Sequence, residues 1–287
     1  MSCRLCGLDA PLKDSHGIPA FVARWLKATS ATGYLRSYQF PNRRVQDLRT
    51  EHLLCQSCER RFSVAEGEFA RRLFLLYHEG RSRFEYQSWL LYFAVSLAWR
   101  CAITSKREEL EKYPQHVEAV DNARQRWADF LLDKVGTVTP YRFNLFFTPA
   151  GVRSETRIPE GLSWYFLRAV DMTPVYSRSK VAMYVKLPGM FFWTCVVPPD
   201  PGGWRGTRIA KHGMFRAKNQ VLADNRAGAF LIDRAEAIDK RFDTISPAQQ
   251  QRIERAALNN PERAAESKSF EAWLDRERIR EENLRNT

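Results

Sequence analysis

An α+β fold is expected for this chain on the strength of three features. Two Cys-x-x-Cys pairs, Cys3/Cys6 and Cys55/Cys58, bracket the first part of the chain. Stretches with apolar residues at helical spacing fill its middle. Beyond Thr137 the pattern changes to short β-rich runs broken by Pro and Gly. At 287 residues the chain has room for one large domain or two smaller ones. The pattern places a boundary near residue 80: an N-terminal metal module over 1–80, then an α+β region over 81–287 with a central helical pair and a C-terminal antiparallel sheet with helices.

In the first block the spacing predicts a knuckle turn at Cys3–Gly7, a short helix at Ala20–Lys27 and a turn at Thr32-Gly33. Strands are expected near Leu35–Phe40 and Arg49–Leu54, then a helix from Gln56 to about His78, where Phe62, Phe69, Leu73 and Leu76 define one apolar face. Phe84–Lys134 reads as a helical pair, apolar almost all round in its first member and broken near Pro114. The runs YRFNLFF, SWYFLRAV, VAMYVKL and MFFWTCVV read as strands of an antiparallel sheet, and PPDPGGWRGT as a turn. Helices close the chain at Ala227–Asp239, Pro247–Asn259 and Phe270–Leu284. Ser246 is the N-cap of the second, with Pro247 at its first position.

Composition narrows the function classes. With 45 Lys and Arg against 33 Asp and Glu, the formal charge is +12, which favours a polyanionic partner such as nucleic acid. The longest apolar run, Trp89–Trp99, falls short of the ~18 residues that span a bilayer. The N-terminus lacks the succession of a signal peptide, so a cytoplasmic, non-membrane protein is expected. In a reducing compartment four paired cysteines read as metal ligands, and Cys101 and Cys195 as buried thiols.

A tetrahedral Zn²⁺ takes four soft ligands, and each Cys-x-x-Cys turn supplies two from one tight arch. Cys3, Cys6, Cys55 and Cys58 complete that count without a histidine, which makes the site closed and structural. The 48 residues separating Cys6 from Cys55 are long for a zinc ribbon, so something is inserted, and His16 lies in the insertion.

The segments CRLCG, LKDSHGIP and HLLCQSCERRF resemble the zinc-containing branch of the HNH endonucleases, over about the first 80 residues. Members of that family read Cys-x-x-Cys-Gly, then Asp-His-x-x-Pro, an Asn ahead of Leu-x-Leu-Leu-Cys, and Cys-x-x-Cys followed by Asn or His. The resemblance implies a treble-clef, or ββα-metal, zinc module. It also implies phosphodiester hydrolysis with Mg²⁺ or Mn²⁺, and prokaryotic nucleases of this kind often serve in defence against foreign DNA. His16 takes the position of the base that activates water. The chain departs from the pattern at three places: Ser15 stands where the metal-binding Asp is expected, Thr50 where the loop Asn is, and Glu59 where the helix carries Asn or His.

A carboxylate is a hard ligand, so Glu59 can hold a divalent ion, and Glu66, nearly two turns on, can join it. His16, Glu59 and Glu66 are therefore the candidate catalytic residues. The alternative for His16 is a turn-locking hydrogen bond to a backbone carbonyl. Arg43, Arg44 and Arg49 lie in a loop suited to clamping phosphates, with Arg24 on the preceding helix, while Trp204 and Arg205 sit in a Gly-rich turn where a base could stack. A solvated basic loop and a Trp packed under a hairpin tip are the plainer alternatives. The expected function is a zinc-stabilised, metal-dependent endonuclease acting on nucleic acid, DNA ahead of RNA. The other reading is a catalytically inactive zinc module recognising nucleic acid or protein, with a protein partner or homo-oligomer contacted through 81–287.

Overall fold

The computed structural model describes residues 1–37, 40–148, 158–200, 202–218, 220–222 and 224–285. The chain enters through the Cys3–Gly7 turn into β1 (Leu12–His16), followed by α1 (Ala20–Ala28) and two short paired strands, β2 (Leu35–Arg36) and β3 (Arg44–Val45). The strand expected over Leu35–Phe40 is thus two residues long, and Tyr38 and Gln39 lie outside the described residues. β4 (Thr50–Cys55) pairs antiparallel with β1, setting His16 opposite Thr50 and Leu12 opposite Cys55. It runs directly into α2 (Gln56–Phe69), which passes through a π-helical turn at Ala70–Phe74 into α3 (Leu75–His78). Phe62, Phe69 and Leu73 are buried as their spacing predicts.

A short strand, β5 (Arg83–Tyr86), precedes α4 (Ser88–Thr104), in which every residue from Phe93 to Ile103 is buried. After α5 (Arg107–Glu111) a 3₁₀ turn at Pro114–His116 marks the expected break, and α6 (Val117–Leu131) completes the helical pair. β6 (Arg142–Phe147) opens the sheet; then come α7 (Leu162–Arg168), β7 (Asp171–Tyr176), β8 (Val181–Leu187) and β9 (Met190–Val197). The sheet is antiparallel in the order β6-β9-β8-β7. β10 (Gly213–Arg216) pairs with β5, and the chain ends in α8 (Asn225–Phe242), α9 (Pro247–Leu258), α10 (Pro261–Ala265) and α11 (Lys268–Arg285). Ser246 caps α9 as expected, its Oγ accepting from Gln249 N at 3.3 Å. No helix among the described residues is long and apolar enough to cross a membrane.

SWYFLRAV is the one run that takes the other state. Its aromatics favour a strand in isolation, but Leu162–Arg168 is helical and packs against α11 and α8. The strand lies just after it and includes Pro174. β7 is an edge strand, the place where a missing N–H costs no ladder bond.

β8 and β9 are buried on both faces, and successive side chains explain how. Met183, Val185 and Phe192 join the core beneath α4 and α6, whereas Tyr184, Phe191 and Trp193 face a second cluster with α7 and α8. Helices on both faces turn what would be an alternating pattern into continuous apolar runs. At the β8–β9 turn Gly189 has φ +73°, and a Cβ there would stand 2.6 Å from the Tyr77 ring. Phe69 stacks on Phe93 at 4.1 Å and lies 5.7 Å from Phe192, so one apolar core runs from α2 through α4 to the sheet.

Candidate metal centre and its flanking histidine

The thiol cluster is assembled by three short-range devices. In the knuckle, Gly7 N donates to Cys3 O at 2.8 Å, and Cys3 N donates to Leu8 O at 2.9 Å. Gly7 has φ +75°, a conformation that favours glycine. Arg4 N donates to Leu53 O at 2.9 Å, which ties the knuckle to β4. Cys55 ends β4 and N-caps α2, so Cys58 follows in the first helical turn, where the helix dipole favours negative charge.

The four sulfurs lie within 4.8 Å of one another, and Cys6 and Cys55 are 3.8 Å apart. A tetrahedron with metal–sulfur bonds of about 2.3 Å has edges of about 3.8 Å, so the donor set fits a four-coordinate ion. Cys55 N also donates to Cys3 Sγ at 3.3 Å, a contact suited to a thiolate. The Ser57 hydroxyl, 3.1 Å from Cys55 Sγ, is the main influence holding that thiol down to about 6, while burial pushes Cys58 upward. The four cysteines are positioned to bind a metal ion. Among the described residues no other group of three or more His, Cys, Asp or Glu gathers its ligand atoms this closely.

His16 stands at the end of β1. Its Nε2 is shielded from solvent and lacks a hydrogen-bond partner; Asp47 Oδ2 stands 3.4 Å away, too long for a well-formed bond. Its main-chain carbonyl accepts from Arg100 Nη1 at 2.9 Å. Ser15, at the motif's acidic position, is buried, and its hydroxyl accepts from Leu54 N at 3.2 Å beside the register shift in β1. Asp14 is exposed and faces His52, whose Nδ1 is 3.3 Å from Asp14 Oδ1.

Of the two helix carboxylates, Glu59 has its Oε1 buried and unpaired. Glu66 is paired with Arg100, its Oε1 2.9 Å from Nη1. The ligand atoms of His16, Glu59 and Glu66 therefore flank one strand–helix unit without forming a ready three-ligand cluster.

The basic residues divide. Arg43 lines an open cleft of about 540 Å³ with Phe40, Pro41, Asn42, Arg241 and Thr244. Arg44 lies over the Tyr34 ring at 4.3 Å, and Arg49 pairs with Glu51 at 3.0 Å. Arg24 is exposed on α1. The three loop arginines share the segment that carries Asp47 to His16. Asn42 anchors that loop to the C-terminal helices, donating to Thr244 O at 2.9 Å and accepting from Ser246 N at 2.8 Å.

Trp204 packs edge-on against Phe146 at 5.1 Å and lies 6.1 Å from Trp193, so its ring belongs to the second apolar cluster. Arg205 is exposed and forms a bridge with Val221.

Two residues of this site escape a reading of the sequence. Asp47 carries no signal in VQDLR. Arg100 does carry one, as the sole charge in the apolar run of α4, because a charge there must find partners. No family model, no curated protein and no solved structure matches the chain.

Proposed function

We propose that the chain is a zinc-stabilised, HNH-like endonuclease that hydrolyses phosphodiesters with a divalent cation. The reading is supported by thiols contributed in pairs by the knuckle and by the β4–α2 junction, a donor set that suits Zn²⁺. One observation carries the catalytic part: His16 Nε2 and Glu59 Oε1 are both buried and unsatisfied in a unit whose other polar groups are largely paired. Leaving such an atom unpaired costs about 1–3 kcal/mol, and atoms of this kind are retained where a ligand or reacting group completes them.

In this reading His16 Nε2, buried and without a hydrogen-bond partner, is the acceptor for the proton of an attacking water, and Asp47, its Oδ2 3.4 Å away, stabilises the imidazolium that forms. Glu59 is the carboxylate that would hold Mg²⁺ or Mn²⁺, whose chemistry in this setting is to offset charge developing on the scissile phosphate. Arg43, Arg44 and Arg49 supply the phosphate contacts from the loop beside His16, and the net charge of +12 draws the polyanion in.

The purified chain with Mg²⁺ or Mn²⁺ is expected to cut DNA. His16→Ala should lower the rate about 10²–10⁴-fold while the bound zinc and the circular dichroism spectrum stay as in the parent. A protein that keeps its zinc, binds nucleic acid and never cuts under any divalent ion overturns the enzyme. Three contacts favour that second reading, a non-catalytic zinc module: Ser15 is committed to the β4 backbone, Asp14 to His52 and Glu66 to Arg100.

A further inference from the structure

We propose that Arg100 is the positioning residue of this site: with Glu66 as its counter-anion, it sets His16 in place from outside the zinc unit. The proposal rests on the nuclease reading for its kinetic arm, though not for its structural one. Arg100 projects from α4 and is 3% exposed. Each of its guanidinium nitrogens has a partner. Nε donates to Ser96 O at 3.2 Å and Nη2 to Ser96 Oγ at 3.1 Å, which locks the fork to its own helix. Nη1 faces outward and meets both His16 O and Glu66 Oε1 at 2.9 Å. The Phe62 ring lies 5.1 Å from the guanidinium carbon and closes one face.

A buried guanidinium has five N–H donors to satisfy, and Arg100 gives one of them to the main-chain carbonyl of His16, 84 positions away. That bond fixes the backbone of the residue whose ring is the base, and Asp47 stands at the other end of the same residue. His16 is thereby restrained at its carbonyl by α4 and approached at its ring by the arginine-bearing loop. Arg100 also settles the role of Glu66. With Oε1 committed to a guanidinium, that carboxylate acts as the counter-anion of Arg100. A rigid planar fork anchored at Ser96 can hold a carbonyl and a carboxylate at a fixed separation, whereas an ammonium on a flexible stem cannot.

The test compares the full-length parent with Arg100→Lys and Glu66→Gln, scoring bound zinc, steady-state cleavage of duplex DNA with Mg²⁺ and the imidazole NMR signals of His16. Arg100→Lys should keep its zinc, lose about a hundredfold in kcat at unchanged KM, and show the His16 signal shifted or split, since misplacing a reacting group by ~1 Å costs about that much. Unchanged kcat with an unchanged His16 signal overturns the proposal. Glu66→Gln preserves an acceptor for Nη1 and should retain kcat within about tenfold with a single, unshifted His16 signal. It carries the test if Arg100→Lys loses its zinc or fails to fold, and a hundredfold loss there would make Glu66 a group touching the reacting atoms instead of the counter-anion of Arg100. If the parent does not cut at all, the nuclease reading falls, and the His16 signal in the two variants alone decides the role of Arg100.

Discussion

The strand–helix unit around the thiols and the sheet around β8 and β9 are stabilised by different physics. In the first, main-chain bonds, a buried serine and four sulfurs position a two-stranded pair that has little apolar surface of its own. In the second, strands buried on both faces need no ligand. Even Lys186 is accommodated there, its ammonium donating to Phe166 O at 2.7 Å, Leu187 O at 2.8 Å and Ala169 O at 3.3 Å. His16 and Glu59 remain incompletely satisfied, while every ammonium proton of Lys186 has an acceptor.

Disrupting the thiol site should separate the two regions most. Structural zinc sites carry about 10–16 kcal/mol of apparent binding energy, so Cys58→Ser or a strong chelator is expected to unfold the β1–β4 unit. Hydrogen exchange would then show loss of protection at Leu53 and Leu54 with the amides of β8 and β9 still protected. Simultaneous loss in both regions would mean that thiols and packing stabilise a single cooperative unit.

Acid should probe the junction between them. His78 lies under Trp25 at a ring separation of 4.1 Å with Nε2 3.1 Å from Pro188 O, and burial pulls it down to about 3. The unfolded histidine binds its proton near 6.5 and the folded one only near 3. Stability contributed by neutral His78 is therefore complete above about 6.5 and is lost as pH falls toward 3, amounting to roughly 4 kcal/mol at the bottom of that window. Urea melts at stepped pH should show this slope in the parent and a shallower one in His78→Gln.

A smaller effect is expected within the thiol-bearing unit itself. Ser15→Ala leaves Leu54 N without its side-chain acceptor and should cost about 1–2 kcal/mol by urea denaturation. The result to look for is that metal content is unchanged. Loss of metal in Ser15→Ala would mean that the hydroxyl, rather than the thiols, sets the β1–β4 register.

Much of this was legible because it is local. The Cys-x-x-Cys spacing, the apolar face of α2, the break at Pro114 and the Ser246 cap depend on residues within a few positions of each other, where sterics and hydrogen bonding act without the rest of the fold. The α7/β7 exchange was not legible, since an aromatic run suits either state and a proline disfavours a strand unless the strand is known to lie at an edge. Trp204 in a Gly-rich turn reads as a stacking platform or a packed ring until Phe146 and Trp193 are seen beside it.

Residue type and short spacing are enough to single out the four clustered cysteines, most of the order of helices and strands and the excess of positive charge. The surroundings of His16 come from the tertiary fold and from nothing nearer. Arg100 and Asp47 lie 84 and 31 positions away from it. No periodicity or motif relates such residues; only the packing of α4 against α2 and the return of the loop before β4 bring them to one place.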